Sequence, residues 1–378
     1  MSDTLGLYVH VPFCRSKCLY CDFCSFPRMD RETVGAYVDE VCRRMVGASA
    51  QAAKRTVNTV YFGGGTPTLL PISAFSRLLD TIRKHYSLSE DCEITAECNP
   101  ATADFAYLSA LRALGVNRLS IGLQSAHENE LRALGRAHTF ADFVAVFADA
   151  RRAGFDNISA DLMYGIPHQT TESFRASLEA LCELSPEHIS AYGLKIEEGT
   201  PFFSKKDALP LPDEDTEYHM YQALSHVLCE NGYHKYEISN FAKEGRHSRH
   251  NLRYWHSEEY LGFGVAAHSY FGGVRFGNSR DMNAFLRGED ITEEHICLSA
   301  HEQEEEFVML ALRLAEGISK ADFLARTGED FEARYPTVRR MIEGGFMKDE
   351  NGRIAFTDEG FFVSNAILAE MLDFKESF

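Results

Sequence analysis

Leu5-Gly6-Leu7-Tyr8-Val9-His10-Val11-Pro12-Phe13-Cys14-Arg15-Ser16-Lys17-Cys18-Leu19-Tyr20-Cys21 is an apolar strand followed at once by three cysteines spaced C-x3-C-x2-C. The strand is the first of six runs rich in β-branched and aromatic residues. The others are Val57 to Phe62, Glu93 to Glu97, Arg118 to Leu123, Asn157 to Leu162 and His188 to Leu194. Between them, Arg31 to Val46, Pro71 to His85, Ala103 to Leu114, Phe140 to Ala153 and Thr171 to Leu184 repeat apolar residues with helical spacing. Several of these segments end at glycine, as at Gly115 and Gly154. The alternation predicts an α/β fold, a parallel sheet wrapped by helices through right-handed crossovers. A doubly wound sheet and an open, incomplete barrel both satisfy it.

Three thiolates on a loop this short converge on one point. A zinc site would want four ligands in paired knuckles, and a disulfide framework would not group its cysteines this way. A cubane normally takes four thiolates, so three leave one iron able to coordinate a substrate. The spacing therefore predicts a 4Fe-4S cluster on Cys14, Cys18 and Cys21 with S-adenosylmethionine (SAM) on the open iron, where an electron from the cluster cleaves the sulfonium. Cys24 is either a spare ligand or a bystander. A fourth thiolate would close the open iron, which favours the bystander. The isolated Cys42, Cys92, Cys98, Cys182, Cys229 and Cys297 read as small buried apolar residues.

Composition bounds the rest. A chain of 378 residues, 45% hydrophobic and 25% charged, can bury a large core and divide into a main domain and smaller ones. No apolar run approaches the roughly 18 residues of a membrane span, and Met1 to Leu7 carries no basic region before an apolar stretch. These features, with four of the ten cysteines crowded between residues 14 and 24, place the chain in the reducing cytoplasm. A formal charge of −18 argues against nucleic acid and anionic membranes as partners.

The alternating part occupies residues 1–205. Residues 206–297 follow, beginning with a surface connection at Lys205-Lys206, Pro210, Pro212 and Asp213 to Asp215; a long helix over Thr216 to Asn231 then leads into an aromatic, glycine-rich stretch without clear periodicity. Residues 298–378 form a third section, with helices expected near Glu302 to Leu314, Lys320 to Arg326 and Phe331 to Glu343, a hairpin turning at Asp349 to Gly352, and a last helix. That section resembles a small winged-helix module; the acidic charge favours packing or protein contact over DNA binding.

Gly63-Gly64-Gly65-Thr66-Pro67 closes the second strand at its carboxyl end, where α/β folds bind ligands and where glycines let backbone approach closely. Following a cluster loop by one strand, it reads as a cradle for the amino-acid part of SAM. Glu97, Gln124, Arg136 and Asp161 lie at or near the ends of later strands and should converge on the same mouth.

These blocks, with Glu97-Cys98-Asn99-Pro100, Gly122-Leu123-Gln124-Ser125, Leu134-Gly135-Arg136 and Asp161-Leu162-Met163-Tyr164-Gly165-Ile166-Pro167, resemble the proteins around oxygen-independent coproporphyrinogen III oxidase over nearly the whole chain. The resemblance implies a six-stranded partial (β/α)6 barrel of the radical SAM kind, with a C-terminal extension. It also implies that Tyr8, Gly64, Glu97 and His268 contact one SAM position, and Tyr20, Gly65, Thr66, Gln124, Arg136 and Asp161 a second. Two departures separate the chain from the oxidase itself. Phe23 stands where the oxidase has a further cysteine, and the oxidase's N-terminal extension is lacking. The shorter branch, the radical SAM haem chaperones, is closer and is similar also in His250-Asn251-Leu252-Arg253-Tyr254-Trp255. A neutral imidazole is a usual ligand of haem iron, and Tyr254 and Trp255 offer flat area for a porphyrin face.

The expected function is therefore a haem chaperone that binds haem through His250 and passes it to recipient haem proteins, membrane-bound respiratory enzymes among them, with an electron donor for the cluster. His247, His256 and His268 leave the choice of iron ligand open. No side chain is assigned a catalytic role. Oxidative decarboxylation of coproporphyrinogen III and radical-dependent haem opening are the rival readings.

Overall fold

The computed structural model describes residues 3–372, and the six sequence-marked runs form strands β1 (Thr4–Val11), β2 (Thr56–Gly64), β3 (Ser87–Cys98), β4 (Arg118–Gln124), β5 (Ile158–Tyr164) and β6 (His188–Gly193). They lie side by side in chain order, every pair parallel. A doubly wound sheet would reverse its order part-way. The unbroken order is that of an opened barrel, which decides between the two architectures the alternation allowed.

The crossover helices span Arg31–Ala52, Ile72–His85, Phe105–Ala113, Phe140–Arg152 and Thr171–Leu184. Asp30, Asp104, Thr139 and Thr170 each accept a hydrogen bond from the backbone N–H three residues on, satisfying a donor the first turn leaves open. Strand residues alternate in direction. On β4, Leu119, Ile121 and Leu123 are buried in the core shared with the helices, whereas Arg118, Ser120, Gly122 and Gln124 line the barrel interior.

The stretch without periodicity builds the edges of the sheet. Tyr260–Phe263 pairs parallel with β1 and is followed outward by His268–Phe271, Val274–Asn278 and Thr292–Cys297, all antiparallel; Asn240–Ala242 and His234–Lys235 extend the other side from β6. Two- to six-residue strands are too short to announce themselves by alternation.

The Arg249–Trp255 helix packs beneath the amino ends of β1 to β3. The Glu93 carboxylate accepts from the N–H groups of Arg249 and His250, each at 3.1 Å. Its position matches the positive end of the helix. Arg253, 1% exposed, pairs with Glu258 at 2.9 Å and donates to Thr4 Oγ1, Asn58 Oδ1 and the Glu259 carbonyl. Gly6 makes room for it. A Cβ at Gly6 would stand 2.7 Å from Arg253 Cδ.

Two expectations are corrected in the third section and the cysteines. The helix expected over Phe331 to Glu343 is two, Phe331–Arg334 and Thr337–Glu343, because Pro336 cannot continue a helix and keeps Tyr335 out of the helical conformation. The last helix is likewise two, Asp358–Phe362 and Ser364–Met371, and residues 373–378 lie outside the described residues. Cys42, Cys92 and Cys98 are buried, but Cys229 and Cys297 are exposed and Cys182 is half-buried. The hairpin turns at Asn351 and Gly352, both with positive φ, between Met347–Glu350 and Arg353–Phe356.

Arg253→Ala removes the buried partner of a part-exposed ion pair and three further hydrogen bonds to a charged donor, and should lower the unfolding free energy by about 3 kcal/mol. A shift in the urea midpoint measures it; a midpoint equal to that of the parent protein would contradict the stapling role.

Candidate functional site

The pairings His10 with Gly63 and Val11 with Gly64 set the loop after β1 against the turn after β2. Gly65 N–H donates to the Val11 carbonyl at 2.9 Å. A Cβ on Gly65 would lie 2.8 Å from the Phe13 carbonyl oxygen and 3.1 Å from Cys14 Sγ; one on Gly64, whose φ is +114°, would lie 2.6 Å from the His10 ring. Close approach of two backbones, not looseness, fixes these glycines.

Cys14, Cys18 and Cys21 are all part-exposed and line a cavity of about 660 Å³ inside the barrel mouth. Burial pushes the Cys14 and Cys21 thiols above their ordinary range. Thiolates there need opposing charge and donors. Arg136 donates to Cys18 Sγ at 3.7 Å and Thr66 Oγ1 lies 3.7 Å from Cys14 Sγ. Among the described residues no three His, Cys, Asp or Glu side chains close to the spacing of a single-ion site. Three thiols facing one cavity are the ligand set that a 4Fe-4S cluster with one open iron would take. Cys24 is separate: it is buried, its carbonyl accepts from His10 Nε2 at 2.8 Å, and it borders a different cavity.

Tyr20, Gly64, Gly65, Thr66, Glu97, Gln124, Arg136 and Asp161 line the same cavity as the triad. Glu97 is held by Tyr61 OH at 2.9 Å and Gly64 N–H at 3.1 Å, yet burial pushes its carboxyl up to about 7. Burial also raises Asp161, which accepts from Ser120 Oγ at 3.2 Å. Arg136 donates to the Gly122 carbonyl, and Tyr192 OH to Gln124 Oε1 at 3.0 Å. Gln124 adopts φ +72°, a conformation that costs a non-glycine residue energy and that its surroundings must enforce.

Tyr61, Arg118, Ser120 and Tyr192 belong to this interior and went unnoticed in the sequence. The two-residue alternation counted inward from Gln124 would have found Ser120 and Arg118.

Tyr8, Tyr254 and His268 line a second cavity of about 720 Å³ together with Phe23, Tyr260 and Arg280; Asp22 and Phe23 border both cavities. His250 is 1% exposed and lines neither. Its Nδ1 is 2.9 Å from Thr59 Oγ1, its Nε2 2.9 Å from Tyr254 OH, and its ring stacks on Tyr61. Burial lowers its pKa to about 3, so the imidazole is neutral. Trp255 is part-buried and borders neither cavity.

Residues 8–181 match the model of the radical SAM superfamily, and residues 298–363 that of the HemN C-terminal domain. The chain is 34% identical over 374 residues to heme chaperone HemW of Bacillus subtilis, covering 97% of this chain and 98% of that one. It is also 34% identical over 372 residues to heme chaperone HemW of Escherichia coli, covering 96% and 97%. In three dimensions it is similar to coproporphyrinogen III oxidase (HemN) from Escherichia coli, with TM-score 0.85 at 24% identity, over 98% of this chain and 91% of that one. The likeness to the oxidase concerns the fold.

After anaerobic reconstitution, Cys18→Ser should lose most bound iron and Cys24→Ser should keep the parent content. Iron and sulfide analysis reads both, and iron loss in Cys24→Ser would make that residue a ligand.

Proposed function

The chain belongs to the radical SAM superfamily and within it to the heme chaperone HemW family, whose cofactors are a 4Fe-4S cluster and SAM, and from that premise we propose that it binds haem and delivers it to haem-requiring proteins. The observation that carries the reading is similarity along nearly the full length to chains of that name. Cys14, Cys18 and Cys21 hold the cluster, and Tyr20, Gly64, Gly65, Thr66, Glu97, Gln124, Arg136 and Asp161 hold SAM. When bound, the pair supplies one-electron chemistry. The protein's own residues supply charge and shape. Arg136 opposes the thiolates, the glycines admit the ligand to the backbone, and Glu97 in its ionised form attracts the SAM ammonium.

Haem itself is cargo, and the second cavity is our assignment for it. Its volume, about 720 Å³, is of the order a porphyrin needs, and Tyr8, Phe23, Tyr254 and Tyr260 give it flat apolar walls. His250 stands directly behind Tyr254, neutral as iron ligation requires. Ligation of iron by its Nε2 follows release of the hydrogen bond to Tyr254, so the tyrosine acts as a latch over the histidine. His268 faces the same cavity and contributes to its wall. The recipient is a haem protein, with respiratory enzymes as the class, and a cytoplasmic location fits a chain in which no described helix is long and apolar enough to cross a membrane.

His250→Ala should abolish the absorption spectrum of histidine-ligated haem, whereas Tyr254→Phe, which lifts the latch, should tighten haem binding. An unaltered spectrum in His250→Ala would move the ligand elsewhere. SAM affinity measured by calorimetry should fall as the pH drops from about 8 to about 6, because Glu97 takes up its proton near neutrality. Glu97→Gln should flatten that dependence, and a wild-type profile in the variant would remove Glu97 from SAM binding.

A further inference from the structure

Arg118 begins β4, 1% exposed, and borders the barrel cavity at the end far from the cysteine loop. Its Nε has no hydrogen-bond partner, and among the described residues no carboxylate pairs with it. The neighbour opposite it on β3, Thr95, is fully buried and its hydroxyl also lacks a partner. A buried guanidinium ordinarily spends its five donors on carboxylates or carbonyls, because an uncompensated charge in the interior is costly. Glu97 and Asp161 of the same cavity feel its charge, which draws both carboxyls down against burial, but neither makes an ion pair or a hydrogen bond to it. Burial raises both Glu97 and Asp161, and each is occupied by its own donors, Tyr61 and Gly64 for the first and Ser120 for the second.

We infer that Arg118 is the anchor of a carboxylate-binding subsite at the floor of the barrel, taking the acid group of a ligand that lies deeper than the SAM on the cluster. SAM bound to iron uses its own carboxylate there, so it leaves the floor open. Ser190, Asn240 and Asn251 border the same cavity and give the ligand a polar surround. The guanidinium fork matches a carboxylate in two parallel bonds. Two ligands carry that group: a second SAM molecule through its α-carboxylate, and a tetrapyrrole through a propionate. The subsite is defined by Arg118 and stands even if the haem reading fails.

The test uses full-length, cluster-reconstituted protein with Arg118→Met and Arg118→Lys. Calorimetry with SAM and with decarboxylated SAM forms one arm; absorption titration with haem and with haem dimethyl ester forms the other. Arg118→Met should lose about tenfold or more in affinity for the acid form of one ligand and leave its carboxylate-free analogue unchanged. Arg118→Lys should recover part of that loss. Without ligand, Arg118→Met should melt close to the parent temperature, since Arg118 Nε has no hydrogen-bond partner and no described carboxylate forms an ion pair with the guanidinium. Unchanged affinity in both arms overturns the inference. So does a marked drop in melting temperature with equal losses for each acid and its analogue, the signature of a structural arginine.

Discussion

Parallel pairing of β1 with β2 is the constraint on which the site depends. It brings two consecutive loops into backbone contact, so that Gly65 hydrogen-bonds Val11 while lying against Phe13 and Cys14. Without that contact the three thiols would have no fixed wall opposite them. The cost falls on composition: side chains are excluded at positions 64 and 65, and His10 must turn its ring under Gly64 to bond the Cys24 carbonyl. That bond ties down the Cys24 backbone, and Cys24 lines the second cavity rather than the one the triad faces.

The opposite end of the barrel is closed by side chains that stay neutral. His188 is buried between Ser159 and Tyr236, and His250 between Thr59 and Tyr254; burial lowers both well below the ordinary histidine range. Unfolded, each would titrate near pH 6.5. Their folded-state preference for the neutral form therefore contributes stability above that pH, which is lost as pH falls below it. Glu97 works in the other sense: with its folded pKa raised to about 7, its contribution is present at low pH and lost as pH rises through neutrality. Arg118 brings a permanent charge to this floor, and no described carboxylate forms an ion pair with it.

Most of the barrel was legible because parallel strands buried on both faces read as apolar runs, and capped helices between them read by period. Cysteine spacing gave the triad and glycines gave the cradle, since both signals are local. What escaped was non-local. Tyr260–Phe263 becomes a neighbour of β1 from some two hundred and fifty residues away, and nothing in its own text announces the partner. The hexapeptide from His250 to Trp255 read as an open aromatic platform, whereas it folds as a floor helix whose histidine is sealed by Thr59 and Tyr254. Arg118 was hidden in plain view inside a strand, as interior polar residues of barrels are.

Chaperoning and chemistry differ in what becomes of the porphyrin, and one measurement separates them. Cluster-loaded protein is incubated anaerobically with haem, SAM and a reductant, then with an apo haem protein, and every tetrapyrrole is identified by mass. Intact haem recovered in the acceptor is the result the present account predicts. A parallel incubation with coproporphyrinogen III should return it unchanged. Protoporphyrinogen formed over several turnovers, or haem returned as an opened tetrapyrrole, would contradict it.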